Sequence, residues 1–413
     1  MLNKMMNETK VIRDNVHGNI IIKYQIIWDL INTDVFQRLR RVHQLGGTFM
    51  VFSSAEHSRF THSLGVYSIV DRIINEVMTD NLNEYDGIVG LCAGLLHDIG
   101  HGPYSHAFED VFKTDHEEMT RRIILEDTSV NQVLRSYDEN LPLAIAQVIN
   151  KEYHNKLLVQ LISSQVDADR MDYLLRDATN AGVSYGLFDL ERLLRSMVVV
   201  DNRIAFKESG VHVLEDYIFA RYHMYWQVYL HQTTRSYEII LHKLLSRVKV
   251  LFAASYQFKD DIRFLKPFLN KTTLAIKDYL NLDESILFYY FRCFMDEEDP
   301  ILKELARCFI NRVLFKQIDL DNIQQGLKIM NYIEDNFEKR ANYFDISQVK
   351  SSLYNYYGEI NSQSIIILTK NKELKELYNV SNLVNAIVKS AEEKQEVKLY
   401  FHQRYQSLIN EGS

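Results

Sequence analysis

The sequence predicts a mainly α-helical fold, with short β-hairpins and a smaller α+β region towards its C-terminal end. Three observations predict it. Apolar residues recur at helical spacing through most of the stretch before Tyr256. Four prolines and fifteen glycines in 413 residues are too few for long linkers or a turn-rich all-β fold. The β-type runs are short, and two of them flank turn residues as hairpin arms do.

In chain order, "KVIRDNVHGNIIIKYQ" has apolar residues bracketing Asn15 to Gly18 and reads as a hairpin. Residues 26–46 then read as helical, with Trp28, Leu30, Ile31, Phe36, Leu39 and Val42 as apolar positions, until Gly46 and Gly47 stop the pattern. Residues 58–78 form a second helix through Leu64, Ile69, Ile73, Ile74 and Val77. "YDGIVGLCAGLLHDIG" is a third, nearly all apolar and therefore central. Further helices are expected over 107–125, 141–150, 156–178, 187–197 and 211–251. A hairpin turning at Asp201 and Asn202 separates the last two. Beyond Tyr256, "TTLAIKDYLNL", "DPILKELARCFINRVL" and "SNLVNAIVKSAEEKQ" read as helices, and "QSIIILTK" and "EVKLYF" as strands.

The net charge of −8 gives no global basic footprint for nucleic acid, although a local basic cluster can still hold an anionic small molecule. Cys92, Cys293 and Cys308 fit neither a zinc pattern nor a disulfide framework, which points to a reducing, cytoplasmic setting. The first residues, "MLNKMMNETK", lack the apolar core of a signal peptide. No apolar run reaches the ~18 residues of a membrane span.

The chemistry concentrates in "LLHDIGHGPYSH", where His97, Asp98, His101 and His106 follow an apolar helix. His62 lies in the first turns of another helix, and "SSQVDADRMDYLLRDA" sets Asp167, Asp169, Asp172 and Asp177 on or near a third. Neutral imidazoles and carboxylates suit a divalent transition metal. Two of each leave open positions on a six-coordinate ion, which is what a hydrolytic metal needs. A lone histidine at a helix end is more often a cap or a satisfied core residue; here the three segments "RFTHSLGV", "HDIGHGPYSH" and "DADRMDY" raise the metal reading together.

These segments resemble the HD-domain metallophosphohydrolases, and within them the deoxynucleoside triphosphate triphosphohydrolases. The general pattern H…HD…D is matched by His62, His97, Asp98 and Asp169. The narrower likeness lies in "FQRLRRVHQLGG", "HSRFTHSLGVY", "HDIGHGPYSHAFE", "DHEE" and "VDADRMDYLLRDA". It covers residues 10–235 closely and the rest loosely. It implies an HD-domain helical core over 1–255, with the N-terminal hairpin and a regulatory segment. Residues 256–413 become an accessory, oligomerisation region.

By that resemblance, His62, His97, Asp98 and Asp169 are metal ligands. His116 stands near the α-phosphate and the leaving oxygen as general acid, oriented by Glu109, where relatives often have Asp. His101 and His106 touch phosphate oxygens. Arg59 and Arg221 contact the nucleotide, chiefly its phosphates. Gln44 and Leu45 pack against deoxyribose, Tyr173 and Asp177 lie near the 2′ carbon and the 3′-hydroxyl, and Tyr229 lies near the nucleotide. Gln37 and Arg40 match an activator site, and Lys207 a basic phosphate contact. Asn32 replaces an acidic residue of relatives there, which leaves GTP and dGTP both open as activators.

The implied activity is metal-dependent hydrolysis of a dNTP to deoxynucleoside and inorganic triphosphate by a nucleotide-controlled tetramer. Fe, Mn, Zn, Ni and Co all suit the ligand set, and Mg suits the phosphates. The rivals are another HD-type phosphohydrolase or phosphodiesterase, and a nucleotide-sensing or nucleic-acid-binding protein.

Overall fold

A computed structural model describes residues 4–270, 273–336, 341–350, 364–392, 395–407 and 409. It opens with the expected hairpin, β1 (Met5–Asp14) antiparallel to β2 (Gly18–Tyr24). Gly18 turns it at φ +72°, a conformation that disfavours a side chain.

The strongly periodic segments are helices close to where the sequence sets them: Arg59–Glu76, Glu84–Leu96, Leu141–Ile149 and Leu190–Ser196. The longer expectations break, each at a local cap. Residues 26–46 divide into Gln25–Ile31, Asp34–Arg38 and a 3-10 turn at Leu39–Arg41. Thr33 makes that break: its hydroxyl accepts from the Phe36 N–H and donates to the Leu30 carbonyl. Residues 107–125 become His106–Phe112 and His116–Leu125, parted by left-handed Lys113 and capped by Asp115. Asp167 caps Ala168–Ala181 and so parts it from Lys156–Ile162. The stretch 211–251 is Val211–Met224, a π-helical turn at Tyr225–Tyr229, and Gln232–Ala253. Helices Ser129–Tyr137 and Glu284–Phe294 escaped the periodicity reading.

The second hairpin is β3 (Met197–Val200) with β4 (Arg203–Lys207). In the tail, helix Pro300–Ile310 is followed by β5 (Lys316–Leu320), β6 (Phe344–Lys350), β7 (Ile366–Leu368), β8 (Leu374–Glu376), helix Asn382–Glu392 and β9 (Gln395–Phe401). Parts of the expected "TTLAIKDYLNL", "QSIIILTK" and "SNLVNAIVKSAEEKQ" elements, at 272, 363 and 393–394, lie outside the described residues.

Two hydrophobic cores result. One gathers Ile20, Leu64, Leu95, Leu174 and Val228, and is completed by Ile365, Ile367, Leu377 and Val384 from late in the chain. Those late residues arrive because β7 pairs in parallel with β4, in a sheet of order β3-β4-β7-β8. The other core holds Phe108, Tyr237, Leu244, Phe291 and Phe309, with Leu399 of the sheet β5-β9-β6. A cavity of about 770 Å³ opens between them, lined by Tyr173 and Tyr229 beside the first core and by Tyr104 and Tyr237 of the second.

Candidate active site

His62 is fully buried on Arg59–Glu76, and His97 caps the C-terminal end of Glu84–Leu96. Each ring is oriented by its Nδ1. His62 Nδ1 donates to Asp172 Oδ2 at 2.8 Å, and His97 Nδ1 to the Gly94 carbonyl at 3.0 Å. Both Nε2 atoms therefore turn to one point. They face Asp169 Oδ1 at 3.2 and 3.6 Å, and Asp98 carboxylate oxygens at 3.6 Å. Both Nε2 atoms are buried and, among the described residues, lack a hydrogen bond of good geometry.

Electrostatics agree with this geometry. Burial drives the His62 imidazole towards its neutral form, but hydrogen bonds and charge from Asp169 and Asp172 outweigh it and push its pKa up to about 10. The His97 pKa is also raised: burial opposes protonation, and the charges of Asp98 and Asp169 favour it. Despite their own burial, Asp98, Asp169 and Asp172 stay well below the usual carboxylate range, held by neighbouring histidines and arginines. The carboxylates thus favour positive charge at the point the two rings face, and the donor set there, two imidazole nitrogens and carboxylate oxygens, fits a divalent cation. His62, His97 and Asp169 offer ligand atoms within 4.8 Å of one another. Asp98, expected as a fourth, is turned in this arrangement towards the Arg59 guanidinium.

A second group adjoins the first. His101 and His116 stack with ring centroids 3.9 Å apart, and His116 Nδ1 lies 3.0 Å from Glu109 Oε1. The two rings have opposite protonation preferences. Burial and the Arg59 charge pull His101 down to about 3. Burial also works against a charged His116, but the Glu109 hydrogen bond and the Glu109 and Asp98 charges raise its pKa above the ordinary 6.5. A neutral ring therefore stacks on one that favours its proton. His106 opens the His106–Phe112 helix, and its side chain lies outside the described part. Tyr104 and Ser105, both with positive φ, shape the turn before it, and the Ser105 hydroxyl accepts from Arg59 Nη2 at 2.8 Å.

Gln44, Leu45, Arg59, Tyr173, Asp177 and Tyr229 all line the cavity between the cores. Asp177 is held by the Tyr229 hydroxyl at 2.8 Å and by His57 Nε2 at 2.7 Å. Arg221 is absent from the lining residues, and its Nη1 is buried with no hydrogen bond among the described residues. Gln37 and Arg40 stand together, with Arg40 Nε donating to Gln37 Oε1 at 2.8 Å and its guanidinium over Phe60. Lys207 ends β4, exposed, and among the described residues shares no hydrogen bond or ion pair with either.

The sequence reading missed His17, His57 and Arg176 as participants, and it set Asp172 near the site without giving it a role. Asp172 and Arg176 stand four apart on one helix, a spacing that signals an ion pair. His17 and His57 carry no comparable local signal. The cavity also reaches Asp110, Tyr225, Arg235 and His242, which no motif marked.

The HD domain matches residues 59–177, and the HD associated region matches residues 188–412. The chain is 48% identical over 409 residues to the uncharacterized protein YwfO of Bacillus subtilis, covering 97% of this chain and 93% of that one. It is 28% identical over 338 residues to the deoxynucleoside triphosphate triphosphohydrolase SAMHD1 homolog of Dictyostelium discoideum, covering 75% and 60%. A solved phosphohydrolase from Bacteroides thetaiotaomicron superposes with a TM-score of 0.83 at 26% identity, over 96% of this chain and all of that one. Among the described residues no helix is long and apolar enough to cross a membrane. With its histidine–aspartate centre inside the matched domain and the associated region after it, the chain belongs to the HD phosphohydrolase family, with distant deoxynucleoside triphosphate triphosphohydrolases among its relatives.

Proposed function

We propose that this protein hydrolyses deoxynucleoside triphosphates to the deoxynucleoside and inorganic triphosphate. The observation that carries the reading is the contact of three groups. The metal-type centre adjoins the His101–His116 stack, and Arg59, which bonds Asp98, also lines a cavity large enough for a nucleotide. The similarity to deoxynucleoside triphosphate triphosphohydrolases supports it.

His62, His97, Asp98 and Asp169 would hold a divalent ion from among Fe, Mn, Zn, Ni and Co. Such an ion supplies Lewis acidity and a water acidic enough to attack phosphorus near neutral pH. The chain's own residues do the rest. Arg59 exchanges its Asp98 partner for phosphate oxygens, which its planar fork binds in two places. His101, neutral, donates one N–H to a phosphate oxygen without adding charge, and His106 serves beside it. His116, kept protonated by Glu109, gives its proton to the departing 5′-oxygen. Arg221, whose buried Nη1 has no partner among the described residues, would balance phosphate charge, and Mg would accompany the phosphates. Gln44 and Leu45 pack the sugar, and Asp177, clamped by His57 and Tyr229, accepts from the 3′-hydroxyl. Tyr173 closes the space beside the 2′ carbon, and a ribo substrate there buries a hydroxyl without a partner at a cost of about 1–3 kcal/mol.

The regulatory part of the reading is a tetramer assembled by GTP or dGTP. Gln37 and Arg40 of one subunit meet the nucleotide, and Lys207 of a neighbour meets its phosphates. A ligand that binds only the assembled state stabilises it by about 2.7 kcal/mol at 100 Kd. The setting is cytoplasmic, and the C-terminal region serves assembly.

A product assay on all four dNTPs in oxygen-18 water, with and without GTP or dGTP, tests the reading. Intact triphosphate carrying the label, with free deoxynucleoside, is expected. Pyrophosphate with dNMP, or phosphate with dNDP, as first products rejects it. Retention on single-stranded nucleic acid with no turnover of any dNTP favours the binding-protein rival.

A further inference from the structure

The N-terminal hairpin ends against the metal-type centre through a chain of buried charges. Asp172 is fully buried, and its two carboxylate oxygens take four hydrogen bonds. They come from His62 Nδ1 at 2.8 Å, His17 Nε2 at 2.6 Å, and Arg176 Nε and Nη2 at 2.8 and 3.0 Å. Arg176, itself fully buried, reaches on to Asp14 at 2.8 and 3.2 Å. Asp14 Oδ1 accepts from the backbone N–H groups of Val16 and His17, both at 2.9 Å, and so shapes the turn that presents His17. Gly65 makes room for this chain. A Cβ there would stand 1.8 Å from Asp172 Oδ1 and 2.5 Å from Arg176 Nη2.

We infer that Asp172 is the positioning carboxylate for His62, and that His17 of the hairpin holds Asp172 in that task. The inference rests on the metal-centre reading above. A carboxylate accepting from Nδ1–H fixes the tautomer that leaves the Nε2 lone pair for an ion, and it strengthens that lone pair. Every acceptor direction of Asp172 is used, so the ring, the carboxylate and the hairpin turn set one another's positions. An amide cannot replace it: an Asn at this position has one acceptor oxygen, and its NH₂ would confront donors. Presented to Nδ1, that NH₂ selects the opposite tautomer, with hydrogen on Nε2 where the ion belongs. The hairpin, distant in sequence from every expected ligand, thus tunes metal affinity.

The test uses the full chain, freed of metal with a chelator and titrated with Co(II) alone. Visible absorption reports the ligand field and chelator competition the affinity. D172N is expected to weaken Co(II) binding roughly 10–100-fold, the usual effect of losing a group that orients a ligand, and to change the spectrum. His17→Ala weakens binding by a smaller factor; His17→Gln, which keeps an N–H donor, restores most of it, and His17→Leu, which fills the space without a donor, does not, so loss of packing is separated from loss of the donor. If D172N does not fold, the His17 variants decide. His62→Ala serves as the control. If it abolishes Co(II) binding while folded D172N, or His17→Ala, keeps wild-type affinity and spectrum, the inference falls and the centre stands. If the wild-type protein takes up no Co(II), the metal-centre reading itself falls.

Discussion

Three clusters among the described residues bring metal-type ligands equally close; one of them, His101, Glu109 and His116, is the stack beside the centre, and the contrast between the other two is instructive. His62, His97 and Asp169 in the HD domain, and Glu304, Cys308 and His402 in the associated region, each offer three ligand atoms within 4.8 Å of one another. In the second cluster the positive charge is already present. Arg404 Nη2 lies 2.6 Å from Glu304 Oε1, and its main-chain N–H and Nε both donate to His402 Nδ1 at 3.2 Å. His402 Nε2 then faces Glu304 at 3.2 Å, and burial pushes the Cys308 thiol up to about 12, far from the thiolate a metal needs. In the first cluster the Nδ1 atoms are spent on Asp172 and Gly94, and both Nε2 atoms turn to the same carboxylates. Proximity of ligand types, and a buried ring nitrogen facing a carboxylate, are therefore common to both; two imidazoles converging on shared carboxylates belong to the first of the two.

The largest effect expected from this contrast is all-or-none. His97→Ala or Asp169→Ala should lose both metal and hydrolysis, whereas Cys308→Ala and His402→Ala should keep wild-type metal content by elemental analysis. Loss of metal from Cys308→Ala would erase the distinction.

Next in size is the separation of metal holding from proton transfer. His116→Ala should keep its metal and lose roughly 10²–10⁴ in kcat, the range of general acid catalysis. Retained turnover would remove His116 from that role.

A subtler effect follows from pH. The His116 pKa is raised by Glu109 against burial, so the protonated ring persists above pH 6.5. Turnover that needs this proton is full below the raised pKa and declines as pH rises through it. Glu109→Gln removes the charge, and the alkaline limb of the kcat–pH profile should move to lower pH. An unmoved limb would show that another group sets it.

The smallest effect concerns selectivity. Tyr173→Ala should narrow the preference for deoxy over ribo substrates by about tenfold, the equivalent of roughly 1.4 kcal/mol. Competition between dATP and ATP measures it.

Much of this was legible in the sequence because local chemistry wrote it there. The His97–Asp98 pair follows an apolar helix, and the periodicity of residues 58–78 puts His62 on a rigid element. Helix ends were harder, since Thr33, Lys113 and Asp167 stop helices within otherwise continuous apolar patterns. His17 and His57 were illegible because their partners, Asp172 and Asp177, lie more than a hundred residues away in the chain. The parallel pairing of β4 with β7 was hidden likewise: each run reads as a strand, and nothing local says that they meet.

That pairing has a consequence for synthesis. On the ribosome, the hairpin of β3 and β4 emerges long before β7, and the apolar surface later covered by Ile365, Ile367, Leu377 and Val384 emerges with it. The half that carries the histidine–aspartate centre cannot complete its core as it is made, because it waits for a segment that follows much later in the chain. Until then the free edge of β4 is open to strands of other chains, a hazard of late non-local pairing. Nascent chains halted before residue 364 should bind holdase chaperones and resist protease poorly, and full-length chains should not.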